Sequence, residues 1–244
     1  MDSATLRQHV EAALERRVAS PFTYRRERGA EATPSGVAEL DRALGGVPRG
    51  ALTEICGPES SGRTTLLISM LAQVASAGEV CALVDGTDAF DPYSLREAGV
   101  DPRRLLWVRC RNLEQVLRCT DLLLQSGGFG MMAVDLAGYP VELVRRIPLS
   151  TWFRFRRAVE NTRTVFVALE QQPTARTCAS VVLGLEADRL RWSSKPRVPE
   201  LTHTRLLCGA RLRVEISRTR LAAAPSVGAR FDAQAQWFAR PAGG

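Results

Sequence analysis

Lysine is almost absent from these 244 residues: Lys195 is the only one, so nearly every positive charge is a guanidinium. Histidine occurs twice, at His9 and His203, too sparsely for a metal-ligand set. The cysteines Cys56, Cys81, Cys110, Cys119, Cys178 and Cys208 stand singly, with no CxxC pair. That pattern argues against structural zinc, and several of them lie in apolar runs, where a reduced thiol packs as a small hydrophobe. No apolar run approaches the roughly 20 residues a membrane helix needs. The opening MDSATLRQHVEAALERR lacks an apolar signal core, so a cytoplasmic location is the default expectation.

What is present suits one large domain, or one domain with a small appendage. The hydrophobic fraction of 45% and charged fraction of 24% are ordinary for a globular chain and exclude disorder, collagen-like repeats and coiled coil. Lys and Arg total 33 against 26 Asp and Glu, a net charge of +7. Such a balance favours polyanionic partners, nucleic acid first. A solvated, arginine-rich surface gives the same count, and charge alone does not choose.

Residues 2–19 read as a helix, with Leu6, Val10, Ala13, Leu14 and Val18 at helical spacing. Its apolar face suits a neighbouring subunit or its own core equally. The charged, proline-containing stretch Ser20–Ser35 reads as a linker, so 1–34 form a helix and linker and 35–244 the core domain. From Gly36 short apolar runs alternate with helical segments: ALTEICG (51–57), EVCALVD (79–85), LLWVRC (105–110), MMAVDLA (131–137) and TVFVALE (164–170). Helices are expected to begin near Arg63, Pro92, Asn112 and Ser150. Continuous apolar strands separated by helices predict an α/β fold, a mainly parallel sheet covered on both faces. After Cys178 the pattern turns to successive strands. In the last, Phe231, Ala233, Ala235 and Trp237 alternate with Asp232, Gln234 and Gln236, as in a half-buried antiparallel strand.

The first core strand runs into GPESSGRTT, and an apolar helix follows. Gly57 and Gly62 have the spacing of a phosphate-binding loop, G-x-x-x-x-G-K-[ST]. The loop residues Gly57, Pro58, Glu59, Ser60, Ser61, Gly62, Arg63, Thr64 and Thr65 are therefore the candidate nucleotide cradle. Glycines at its two ends let successive amides turn toward phosphate oxygens, and the helix N-terminus adds its dipole. Thr64 stands where a hydroxyl ligates Mg²⁺. Arg63 replaces the lysine, keeping the charge on a bulkier, planar group. Asp135, closing the apolar run MMAVD, is the candidate Mg²⁺-site aspartate, standing behind the ion's direct ligands.

With these residues in view, the chain resembles the RecA superfamily. GPESSGRTTL matches the RecA phosphate loop except at Arg63. The resemblance extends through SGVAELDRALGG, CALVDGTDAFDPYSLREAGVD, MMAVD, VFVALEQQ, CASVVLGLEADRL and RLRVEISRTRLAAAP, roughly Ser35 to Phe238. It implies a RecA-like P-loop NTPase core, ATP and Mg²⁺ as cofactors, a nucleotide site at a subunit interface and a role in DNA repair. It also implies that Thr87 occupies the place of the catalytic glutamate, which a hydroxyl cannot replace as a base. Neighbouring Asp85 and Asp88 are candidates to assist. Asp91 matches the adenine-side aspartate, with Tyr93 beside it for stacking, and Gln171 matches the γ-phosphate sensor. Arg218 and Arg220 fall on the pair of cations that a neighbouring subunit contributes. Equally, they are two solvent-facing arginines on one side of a strand.

Set against that family, both DNA-binding loops are expected to be reduced, to about ELVRRIPLS and QPTART, and no separate C-terminal domain is expected after QWFARPAGG. Strand exchange is therefore not expected. This combination is similar to the ImuA branch, SOS-linked accessories of translesion synthesis. The resemblance implies a RecA-like repair factor that binds nucleotide with weak or lost hydrolysis. Its implied partners are RecA-like subunits, Y-family-like or error-prone polymerase components, and DNA. The competing expectation is an active DNA-dependent ATPase and recombinase with arginine at each cationic position. Arg145 and Arg146, in the first loop remnant, are the expected DNA contacts. In WFRFRRAVENTR, Trp152, Phe155 and Val159 share a helical face and are expected to be core rather than a base-stacking surface.

Overall fold

The computed structural model describes residues 31–193, 207–219 and 228–234. The expected helix over 2–19 lies outside these, as do Arg220, Ala235, Gln236 and Trp237. One eight-stranded sheet organises the molecule. Its strands are β3 (Ala51–Cys56), β4 (Cys81–Asp85), β5 (Leu105–Arg109), β6 (Met131–Asp135), β7 (Val165–Glu170), β8 (Ala179–Trp192), β9 (Leu207–Thr219) and β10 (Gly228–Gln234). Their order is β10-β9-β8-β3-β7-β6-β4-β5. Neighbours from β8 across to β5 run parallel. The last two strands add antiparallel.

The central parallel strands β3, β4, β6 and β7 are buried along nearly their whole length because helices cover both faces. On one face α1 (Ala38–Leu44), α2 (Arg63–Ser76) and α3 (Pro92–Glu97) bury Leu40, Leu66, Met70, Leu71 and Leu95 against Ile55, Val167 and Leu169. On the other, α4 (Leu113–Ser126) and α6 (Leu149–Val159) pack Val116, Leu124, Trp152 and Phe155 over Leu52, Val134 and Phe166. Asn112 caps α4 through its side chain, accepting from the Gln115 amide at 2.9 Å. The aromatic stripe of α6 is core: Trp152, Phe155 and Phe166 meet edge to face with centroids 6.0 Å apart.

Two sequence expectations need correction. Ala32–Thr33 forms a short strand, β1, within the stretch read as linker, paired antiparallel with β2 (Val47–Pro48). The Arg49 amide donates to Glu31 O at 2.8 Å, and the Ser35 amide to Asp41 Oδ1 at 2.7 Å, so this segment is tied down. Strand β4 begins at Cys81 rather than Glu79, because the Glu79 amide still closes the end of α2 on Val74 O at 3.3 Å. Within β10, Ala229 is buried and Arg230, Asp232 and Gln234 are exposed, the alternation expected of it.

Parallel β3, β6 and β7 end on one edge of the sheet. The three segments that follow them, beginning at Gly57, Leu136 and Gln171, therefore converge. A short helix, α5 (Val141–Val144), lies in the second of these.

Candidate phosphate-binding site

The loop from Gly57 to Gly62 joins the end of β3 to α2, and glycine is required at both ends for different reasons. A Cβ on Gly57 would lie 2.4 Å from Leu185 O; one on Gly62 would lie 2.2 Å from Leu212 Cδ1, on a backbone with φ of +91°. Ser60 also takes a positive φ, 60°. The first turn of α2 has no acidic residue and no side-chain cap, which leaves its amides and dipole to face an anion. A cleft of about 230 Å³ opens over Ser60–Thr65, walled by Ala210, Leu212 and Ala233 of the antiparallel strands. Ser61 is buried, and its Oγ finds no hydrogen-bond partner among the described residues. Thr64 is exposed.

Arg63 lines that cleft, but as a tethered rather than a free cation. Its Nη1 donates to the main-chain oxygen of Glu170, the last residue of β7, at 2.8 Å, and the residue is 9% exposed. Burial pulls its pKa down, and Asp135 pushes it back up. Asp135 sits on the next strand: it pairs with Leu169, and the amide after it, Leu136 N, donates to Leu169 O at 2.9 Å. Asp135 is itself 9% exposed, and its Oδ1 accepts from the Ala137 amide at 2.9 Å. Burial raises its carboxyl above the ordinary range; that amide and the Arg63 charge pull it back.

Thr87 faces a carboxylate rather than the cleft. Its amide and Oγ1 lie 3.0 and 3.3 Å from Asp85 Oδ1. The amides of Asp88 and Phe90 and the indole of Trp107 also donate to Asp85, which is fully buried. Five donors on one carboxylate make Asp85 the organiser of this turn, unavailable as a stand-in base. Asp88 is engaged at the surface with Arg109 at 3.2 Å. Asp91 caps α3, accepting from the Tyr93 and Ser94 amides, and the Tyr93 ring is 66% exposed with Arg96 over it. Neither Asp91 nor Tyr93 lines the cleft over the loop.

Gln171 instead ties the two short loops together, its Nε2 donating to Ala137 O at 2.9 Å and Tyr139 O at 3.3 Å. Arg145 adds a second tie, Nη2 to Gln172 Oε1 at 2.5 Å, while Arg146 stays exposed. Arg218, 35% exposed, lies 3.9 Å from Glu54 Oε2 of its own chain.

Two carboxylates that sequence reasoning passed over lie beneath the site. Glu54 is fully buried, and its Oε1 accepts from the Thr174 and Ala175 amides, both at 2.7 Å. Glu170 accepts from Thr174 Oγ1 at 2.5 Å; burial and the neighbouring Glu54 push its pKa up to about 8. Glu54 Oε2 and Glu170 Oε1 have no hydrogen-bond partner among the described residues. The available signal was an acid inside an otherwise continuous apolar strand, ALTEIC and VFVALE.

A family model described as the RecA N-terminal domain matches residues 8–142, more than half of the chain. The chain belongs to the RecA family. "Protein RecA" of Brucella anthropi is 44% identical over 107 residues, which are 43% of this chain and 30% of that relative. The chain thus matches under a third of that RecA's length. The crystal structure of the RadB recombinase shares the fold, with a TM-score of 0.59 at 19% identity, covering 82% of this chain and 94% of that one. That likeness includes the mostly parallel sheet and the antiparallel C-terminal strands. Among the described residues of this RecA-family chain, no helix is long and apolar enough to cross a membrane.

Proposed function

We propose that this RecA-family chain is a nucleotide-binding DNA-repair factor that holds ATP at Gly57–Thr65 and hydrolyses it slowly or not at all. The observation that carries the reading is the pairing of an intact phosphate cradle with diverted catalytic groups. The loop keeps both glycines, an uncapped helix start and an open cleft. Arg63 is bonded to Glu170 O and Thr87 to Asp85, so neither is set to assist attack on a γ-phosphate. An ATP phosphate chain fits this cradle: the buried, unpartnered Ser61 hydroxyl lines the cleft, where an anion would accept its hydrogen bond.

The short, mutually tied loops after β6 and β7 support an accessory role over strand exchange. Ala137, Tyr139 and Gln172 all take part in those ties, leaving little free chain to insert between nucleotides. We place the protein with damage-tolerance factors of translesion synthesis, acting through RecA-like or polymerase partners. DNA contact, through Arg146 and neighbouring arginines, is to backbone phosphates and sequence-independent.

Titration with a fluorescent ATP analogue tests the nucleotide site. Binding is expected in the wild type and is expected to weaken at least about tenfold in Gly62→Ala, with circular dichroism unchanged. No binding by the wild-type protein overturns the reading.

A further inference from the structure

We infer that the base and ribose of the nucleotide lie in a groove between α1 and β10, away from Asp91 and Tyr93. The inference rests on the nucleotide reading above and assigns the half of the ligand that the phosphate loop does not hold. The cleft over Ser60–Thr65 is about 230 Å³, below the roughly 300 to 1,000 Å³ of pockets that enclose whole small molecules. It suits a phosphate chain and leaves a nucleoside outside. Next to it lies a second hollow of about 410 Å³, between the start of α1, the first turns of α2 and β10. Thr65 lines both, and their β10 walls are consecutive residues, Phe231 and Asp232 in one and Ala233 in the other. Together they run from the phosphate loop to α1.

The sheet order sets the direction of the ligand. In a phosphate loop the side chain at the position of Arg63 marks the outer phosphates, while the loop amides hold the inner ones. Arg63 reaches toward β7, where it is bonded to Glu170 O at 2.8 Å. In the sheet, β7 and β4 lie on one side of β3 and β10 lies on the other. The outer phosphates therefore face β7, and the inner end of the chain faces Thr65 and β10. Asp91 and Tyr93 stand at the start of the helix that follows β4, on the outer-phosphate side. The groove is also built in advance. Gly36, with φ of +81°, lets the entry to α1 lie directly on α2, since a Cβ there would sit 2.3 Å from Ser69 Oγ. Glu39 Oε2 accepts from the Arg230 amide at 2.9 Å and so fixes α1 on β10. Walls held in this way need no ordering by the ligand. Phe231, partly buried against the core, supplies an aromatic wall, and Ser69 and the exposed Arg42 supply polar groups for base and ribose edges. The Tyr93 ring, by contrast, is 66% exposed, with Arg96 over it at 5.5 Å.

Affinity and labelling of the full-length chain test the assignment. A non-hydrolysable ATP analogue and inorganic tripolyphosphate are titrated by calorimetry into the wild type, Arg42→Ala and Tyr93→Ala. The wild type is expected to prefer the nucleotide over tripolyphosphate at least about tenfold. Arg42→Ala is expected to cut that preference at least about threefold, and Tyr93→Ala to keep it within about twofold. A preference that Arg42→Ala keeps, or that Tyr93→Ala loses, overturns the inference. Equal affinity of the wild type for both ligands also overturns it, and leaves the phosphate cradle standing. Photolabelling with 2-azido-ATP locates the base without any variant. Label is expected within 36–42 or 230–232 and to be displaced by ATP; label on Tyr93 overturns the inference. If neither ligand binds the wild type, the nucleotide reading itself fails, and this inference with it.

Discussion

Arg63, at the first position of α2, is hydrogen-bonded to the main-chain oxygen of Glu170 at the end of β7, 107 residues later. This link joins the phosphate loop to the residue immediately before Gln171, whose amide holds the segment after β6. Three converging segments at the sheet edge are thus connected through one guanidinium and one side-chain amide.

The Glu170 carboxyl gives the fold an unusual pH dependence. Its pKa is about 8 in the folded chain against 4.5 ordinarily. Between those values the folded state holds a proton that the unfolded state has released, so stability declines as pH rises. The slope is up to about 1.4 kcal/mol per pH unit. The contribution is fully present below pH 4.5 and lost by about pH 8. Urea unfolding from pH 5 to 8 checks this. Glu170→Gln keeps an acceptor for Thr174 and is expected to flatten the decline.

Thr87→Glu separates a missing base from a misplaced cation. From sequence alone, restoring a carboxylate at this position is expected to raise hydrolysis. With Arg63 anchored on Glu170 O, the single substitution is expected to leave turnover low. Thr87→Glu combined with Arg63→Lys is expected to exceed the product of the two single effects, approaching the factor of about 10² that general-base assistance supplies. A gain of that size from Thr87→Glu alone would mean that Arg63 is not limiting. Steady-state phosphate release by the four proteins decides it.

DNA affinity should depend steeply on salt, because phosphate contacts release counterions. Arg146 is exposed, whereas Arg145 is engaged with Gln172. Arg146→Ala is expected to lower the log–log salt slope by about one unit. Arg145→Ala, which also unties the second loop, is expected to change the slope and loosen that loop in hydrogen exchange. Fluorescence anisotropy with single-stranded DNA over a salt series measures the slopes.

Much of this architecture was legible in the sequence because its signals are local. The parallel strands are mostly apolar runs, Asn112 and Pro92 announce their helices, and the spacing of Gly57 and Gly62 places the loop. The α6 stripe of Trp152, Phe155 and Val159 was readable as core from helical spacing alone. What escaped depends on pairings far apart in the chain. Nothing near Arg63 indicates that its partner is a carbonyl on β7, and nothing near Thr87 shows Asp85 gathering five donors. Glu54 and Glu170 read as irregularities in apolar strands until β3 and β7 are placed side by side. Short strand β1 was hidden because two residues carry no periodicity.

The central claim is that nucleotide is held without being consumed. The most direct measurement is phosphate release by wild-type protein at saturating ATP, with and without single-stranded DNA, under conditions where titration shows binding. The predicted result is bound nucleotide with release at background in both cases. DNA-stimulated release that Arg63→Ala abolishes would contradict the account and establish an active ATPase.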